Sequence, residues 1–198
     1  MSAAAAEEDL SEAEFLERER RAELKSEFFR GEIFAMAGGT REHSLIAMNL
    51  GGELRSQLKS KPCLTYNADL RVKIEATGLL TYPDISVVCG AERFLDEERD
   101  TLLNPTLLGE VLSDSTEAYD RGTKFSHYRL IPSLRHVLFV SQKEPRVECY
   151  SRIGEEWRLS EALRIDAKLA LPALEITIAL SEVFSKVEFG SRAPRLHP

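Results

Sequence analysis

The chain has 198 residues, 43% of them hydrophobic, which is enough to bury a core without metal or disulfide help and excludes a disordered polymer. Its 26 basic and 33 acidic side chains give a formal charge of -7, which excludes general electrostatic adhesion to nucleic acid or anionic lipid. No apolar run approaches the roughly 18 residues of a membrane span, and the acidic start lacks the basic and apolar regions of a targeting peptide, so a soluble cytoplasmic protein is expected.

In chain order, the first ten residues read as loose, and residues 11–30, SEAEFLERERRAELKSEFFR, have the charge density and apolar spacing of a surface helix. Gly31 permits a turn, GEIFAM is extended, and AGGT forms a loop. Thr40, Arg41, Glu42 and His43 open the next helix, which runs to Pro62 and sets His43, Ala47, Leu50, Leu54 and Leu58 on one face. Gly51 and Gly52 weaken that helix by about 1 kcal/mol each, so its persistence implies close packing. CLTYNADLRVKIE alternates imperfectly, whereas TYPDISVVCG and NPTLLGEVLS carry the near-continuous apolar runs of interior strands and read as neighbours. AERFLDEERD between them is an exposed loop or short helix, and STEAYDRGTKFSHYRLIPS is a helix closed near Pro132. LRHVLFVS and PRVECYS are consecutive strands. The segment from Glu155 to Phe184 supplies short extended pieces and a terminal helix. The expected architecture is α/β, a mixed sheet flanked by helices. Cys63, Cys89 and Cys149 are far apart and lack zinc-site spacing, so structural burial is expected for them.

Two positions break the polarity rules most sharply. Asp84 stands at the mouth of ISVVC, and Glu110 lies inside TLLGEVLS on the same face as Leu108 and Leu112. A buried carboxylate needs a cation, a proton or several donors, so a structural salt bridge is one reading of Glu110. If the two strands are adjacent, the other reading is that both carboxylates converge on a divalent ion whose water attacks a phosphodiester. Lys124, four residues after Asp120, is either half of an ordinary helical ion pair or the group that orients that water and offsets charge on phosphorus. Tyr82, Ser113, Asp114, Thr116 and Tyr128 are rim candidates, with Ser113 also placed to cap a turn and Tyr128 to pack on the lysine stem. Serine-hydrolase elbow, phosphate-loop and dinucleotide fingerprints are all missing.

The order GEIFAMAG…EH, YPDISVVCG, LLGEVLS, STEAYDRGTKFSHY resembles the Uma2 family of restriction-endonuclease-like proteins over roughly residues 25 to 180. The resemblance implies the PD-(D/E)xK nuclease core, a mixed sheet flanked by helices with an acidic pair that binds Mg2+ or Mn2+. It matches Pro83 and Asp84 to the first motif and Glu110 to the second acid. That superfamily's lysine normally follows the second acid by two residues, where this chain has Leu112; the family places a lysine on the following helix, at Lys124. It also implies roles for Glu32 as an assisting acid and for His43 as a ligand or water-positioning base, beside the readings of a solvated strand residue and a satisfied core histidine. On this basis residues 1–24 are an extension with a helix, 25–185 the endonuclease-like domain and 186–198 a tail.

The leading expectation is therefore a Mg2+- or Mn2+-dependent endonuclease acting on DNA, with RNA open. Asp84 and Glu110 would hold the metal, with Lys124, Glu32 and His43 as further catalytic candidates. Arg41, Arg55, Lys59 and Lys61 would give a local basic rim, and a homodimer would lengthen the groove. The alternative is a catalytically inactive member of the same fold that binds nucleic acid or protein. A carboxylate-pair glycosidase using Asp84 and Glu110 is a remote third reading, since no aromatic-rich sugar cleft is apparent.

Overall fold

The computed structural model describes residues 10–36 and 38–189; the first nine residues, Ala37 of the AGGT loop and most of the tail lie outside them. Helix α1 (Glu12–Glu19) begins at a reciprocal cap, in which Glu14 N–H donates to the Ser11 hydroxyl and the Glu14 carboxylate accepts from Ser11 N–H. It ends well short of residue 30. Strand β1 (Ser26–Phe29) follows, then Arg30 and Gly31 at φ 49° and 87°, then β2 (Glu32–Ala35). Positive φ at both central residues makes the primed turn whose twist suits a hairpin. The charged rhythm of residues 11–30 had suggested continuous helix, but Phe28 instead stacks on Phe15 and packs with Leu80, and that tertiary burial wins.

Helix α2 (Arg41–Leu58) starts where the Thr40 hydroxyl accepts from His43 N–H at 3.1 Å. It buries Ile46, Leu50, Leu54 and Leu58. A Cβ at Gly51 would lie 3.0 Å from Ile85 Cδ1, so the missing side chain lets the helix approach the sheet closely; Gly52 meets nothing. The alternating segment after Pro62 then divides into β3 (Cys63–Asn67) and β4 (Arg71–Ile74), which enter different sheets. Strands β5 (Leu79–Thr81), β6 (Ile85–Cys89), β7 (Thr101–Leu102) and β8 (Leu107–Val111) come next. The expected helix over 115–133 is shorter and irregular: α3 (Glu117–Tyr119), a π-helical turn (Asp120–Lys124) and α4 (Phe125–Tyr128). Strands β9 (His136–Val140), β10 (Arg146–Ile153), β11 (Glu156–Leu163), β12 (Lys168–Leu171) and β13 (Ile176–Ala179) precede α5 (Leu180–Val183).

The larger sheet has the order β11-β10-β9-β8-β6-β3, with β8 and β9 parallel and the other pairs antiparallel. It is the mixed sheet that the sequence suggested, and β6 and β8 are neighbours, with Ile85 opposite Gly109. One face carries Ile85, Val87, Leu107, Val111, Leu138 and Val140 against α2 and the β12–β13 hairpin. The other face carries Leu108, Leu112 and Phe139 against Tyr128 and the smaller sheet, β2-β1-β5-β4-β7. Between these layers Glu110 shares the face of Leu108 and Leu112, so β8 aims a carboxylate directly at the π-helical turn.

The cysteine expectation is corrected in part. Cys149 is buried and free, but Cys63 and Cys89 occupy opposing register positions on β3 and β6 and form a disulfide. Their separation of 26 residues gave no sequence signal, because register alone brings them together. Among the described residues no helix is long and apolar enough to cross a membrane.

Candidate functional site

Asp84 sits immediately before β6, where its Oδ2 accepts from Val111 N–H at 2.7 Å and lies 3.2 Å from His43 Nε2. This carboxylate thus links β6, β8 and the first turn of α2. The Asp84 contact holds the His43 imidazole above its usual pKa, although burial opposes the charge. His43 belongs to this polar junction at the start of the stripe rather than to the apolar core below it.

Lys124 forms the centre of the arrangement. Its Nζ is 3.0 Å from Glu27 Oε1, 3.3 Å from Glu110 Oε1 and 3.4 Å from Asp120 Oδ1, and all four side chains are buried. The π-helical turn explains how Asp120 and Lys124 both point inward. Phe125 N–H donates to Asp120 carbonyl, the i→i+5 pattern that widens the turn and re-aims side chains. Around this core, Tyr128 donates its hydroxyl to Glu110, Thr81 donates to Glu27, and Tyr119 donates to Glu27 at 3.2 Å.

Electrostatics follow from one cation serving several acids. Burial pushes the Glu110 carboxyl up to about 8; Lys124 and the Tyr128 hydrogen bond pull it down, while Asp120 and Asp84 push it further up. Burial also raises Asp120, only partly offset by Lys124. Burial disfavours charge on Lys124 itself, but Glu110, Tyr128, Glu27 and Asp120 together hold it well above the ordinary lysine range. The ammonium therefore stays charged, and the cluster carries at least one carboxyl proton near neutral pH.

The structure brings Asp84, Glu110, Lys124 and His43 into one neighbourhood but leaves Glu32 elsewhere, on the exposed strand β2 opposite Phe29. The acid reaching Lys124 from that hairpin is Glu27, which the sequence reading placed on a helix. The available signal was the alternation SEFF before a turn, which puts Glu27 on the face opposite Phe28. Ser113 caps its turn by accepting Thr116 N–H at 3.3 Å, and Asp114 pairs with Lys143 at 2.8 Å. Tyr128 donates its hydroxyl to Glu110, while Tyr82 accepts from Arg71 and donates to Glu19. Two members of the expected basic rim are partnered, Arg41 with Glu42 and Lys61 with Glu175.

These placements correct the expectation of a Mg2+- or Mn2+-dependent endonuclease. Among the described residues no group of three or more His, Cys, Asp or Glu side chains is arranged to hold a metal ion. The physical reason is that Lys124 fills the space between Glu27, Glu110 and Asp120, and Asp84 is engaged by Val111 and His43. A hard divalent cation needs several free oxygens around one point, and here an ammonium already has them. The residues do not fit the metal, and the cofactor assignment to Asp84 and Glu110 falls with it.

A second feature lies on the same sheet face beyond α4. Arg152 stands on β10 between Trp157 of β11 and Arg135, whose carbonyl accepts Arg152 N–H at 2.9 Å. Arg152 lies over the Trp157 ring at 4.8 Å, and Arg129 lies over Phe125, which meets Trp157 edge-on. Among the described residues Arg129, Arg135 and Arg152 form no ion pair with an acidic side chain; the Arg152 guanidinium donates to the Arg129 and Ile131 carbonyls, and burial and the charge of Arg135 lower its pKa against the opposing charge of Glu155.

The family model Uma2, described as "Putative restriction endonuclease", matches residues 12–181. Two proteins of Synechocystis sp. (strain ATCC 27184 / PCC 6803 / Kazusa) are similar along nearly their whole length. "Uncharacterized protein sll1609" is 34% identical over 168 residues, covering 84% of this chain and 95% of that one. "Uncharacterized protein slr1290" is 34% identical over 182 residues, covering 91% and 94%. A crystal structure from Anabaena variabilis ATCC 29413, titled as a putative nuclease belonging to DUF820, superposes with a TM-score of 0.67 at 20% identity over 83% of this chain and 92% of that one. That likeness concerns the fold.

Proposed function

The chain belongs to the Uma2 family, and from that premise we propose that it is a nucleic-acid-binding member that keeps the endonuclease-like fold without metal-dependent hydrolysis. The observation that carries the reading is Lys124 seated among Glu27, Glu110 and Asp120, where a catalytic metal would need those oxygens. Asp84, Glu110, Lys124 and His43 then act as positioning groups that tie α2, β6, β8 and the π-helical turn together.

The choice of nucleic acid is supported by Arg129 and Arg135, two exposed arginines with no ion pair to an acidic side chain among the described residues, beside Arg152 in a chain of net charge -7. Guanidinium groups match phosphate geometry, and a local cluster can act where the overall charge repels a polyanion. Phe125 and Trp157 brace the arginines rather than offering free ring faces, so phosphate contact is favoured over base stacking.

The test is fluorescence anisotropy of labelled duplex DNA and single-stranded RNA in EDTA, comparing the parent chain with Arg129→Ala/Arg135→Ala, two exposed positions. Metal-free binding is expected, with the variant weaker and its log K against log salt slope smaller by about 1 per lost phosphate contact. Absence of binding at low salt, or cleavage that EDTA abolishes, would overturn the reading.

A further inference from the structure

Helix α4 bridges the two sheets, and an arginine resting on an aromatic ring stands at each end of it. Towards the larger sheet, Arg129 lies over Phe125, and Phe125 meets Trp157, over which Arg152 lies. Towards the smaller sheet, Phe29 of β1 meets His127 edge-on with ring centroids 4.9 Å apart, and the exposed Arg30 lies over Phe29 at 5.0 Å. Arg30 forms no ion pair with an acidic side chain among the described residues. Burial and then the charge of Arg30 lower the pKa of His127, and no carboxylate opposes them. Between the two ends Ser126 is exposed, and residues 121–143 contain no Asp or Glu, in a chain with 33 acidic side chains. An acid-free stretch of that length in an acidic chain lets the cations at both ends act on one polyanion. Arg30 also sits at φ 49°, where glycine or asparagine would cost less.

We propose that one nucleic-acid strand crosses the outer face of α4, from Arg135 and Arg152 on the larger sheet, past Arg129, to Arg30 at the β1–β2 turn, held through its phosphates. The inference rests on the nucleic-acid reading above and adds to it the direction of the strand and a contact supplied by the other sheet. Guanidinium groups that already cover their rings leave no ring face for a base, so the contacts are to the backbone and DNA and RNA share them. Glu32 pairs across the hairpin with Phe29 and so lies on the same face, where its charge opposes the strand beside Arg30. Glu155 does the same at the other end, beside Arg152.

Anisotropy of the full chain with a length series of labelled single-stranded DNA and RNA, in EDTA, tests the path. Arg30→Asn keeps a residue that tolerates the left-handed backbone. It should weaken long oligonucleotides severalfold and reduce the slope of log K against log salt by about 0.7, the value of one phosphate contact on a single strand. The shortest oligonucleotides that still depend on Arg129 and Arg135 should be insensitive to it. Glu32→Lys should tighten the long oligonucleotides and steepen their slope, a gain that misfolding cannot produce. Suppose Arg129→Ala/Arg135→Ala weakens binding while Arg30→Asn and Glu32→Lys leave affinity and slope unchanged: the path is then overturned and the nucleic-acid reading stands. An Arg30→Asn effect that is equal at every length also overturns the path, and a parent chain that binds no oligonucleotide removes both.

Discussion

Lys124 separates two kinds of buried charge. Its ammonium is shared by Glu27, Glu110 and Asp120, so removing it leaves several acids without their cation. Breaking a buried ionic group from one side costs about 3 to 5 kcal/mol, and we expect that range for Lys124→Met in urea denaturation. Glu110→Gln should cost far less, within about 1 kcal/mol, because a carboxyl whose pKa is near 8 is mostly neutral at pH 7 and glutamine still accepts from Tyr128. The pH dependence has two limbs with opposite signs. Glu110 has a folded pKa above its unfolded value, so its contribution is full below about 4.5 and is lost as pH rises towards 8. His136 is the reverse: its Nε2 accepts Ala173 N–H, and burial lowers its pKa from 6.5 to about 4. Its contribution is full above 6.5 and is lost as pH falls through 4, about 3 kcal/mol in all. Denaturation midpoints measured across pH should therefore fall at both ends, with His136→Gln flattening the acid limb and Glu110→Gln the alkaline one.

At the scale of elements, the two adjacent glycines of α2 ought to behave differently. Gly52→Ala meets nothing and should stabilise by roughly 0.5 to 1 kcal/mol through helix propensity. Gly51→Ala must displace Ile85, and its thermal midpoint should lie below that of the Gly52 variant. The close approach behind Gly51 was legible as a glycine pair inside an otherwise periodic helix. So were β6 and β8, because continuous apolar runs interrupted by one acid have few other homes. The β1–β2 hairpin was not legible. Its flanking charges imitate helix spacing, and only the packing of Phe28 on Phe15 decides the matter. Glu27 was lost with it. The π-helical turn was hidden for a different reason: an i,i+4 Asp–Lys spacing suggests a solvent-facing pair on an ordinary helix, and the altered turn that buries both is set by tertiary contact.

For the whole molecule, the sequence order pointed to the right family and layer arrangement, yet family resemblance carried the wrong chemistry. Asp84 and Glu110 do come from the neighbouring pair β6 and β8, but that adjacency says nothing about which cation satisfies the acids. Lys124 decides the chemistry, since from its π-helical turn it projects between the carboxylates. The most direct test is a Mn2+ titration of the full chain near neutral pH, counting free ion by electron paramagnetic resonance. The account predicts no stoichiometric binding in the micromolar to low millimolar range, and an unchanged titration in Asp84→Asn and Glu110→Gln. One ion bound per chain, released by either substitution, would contradict it.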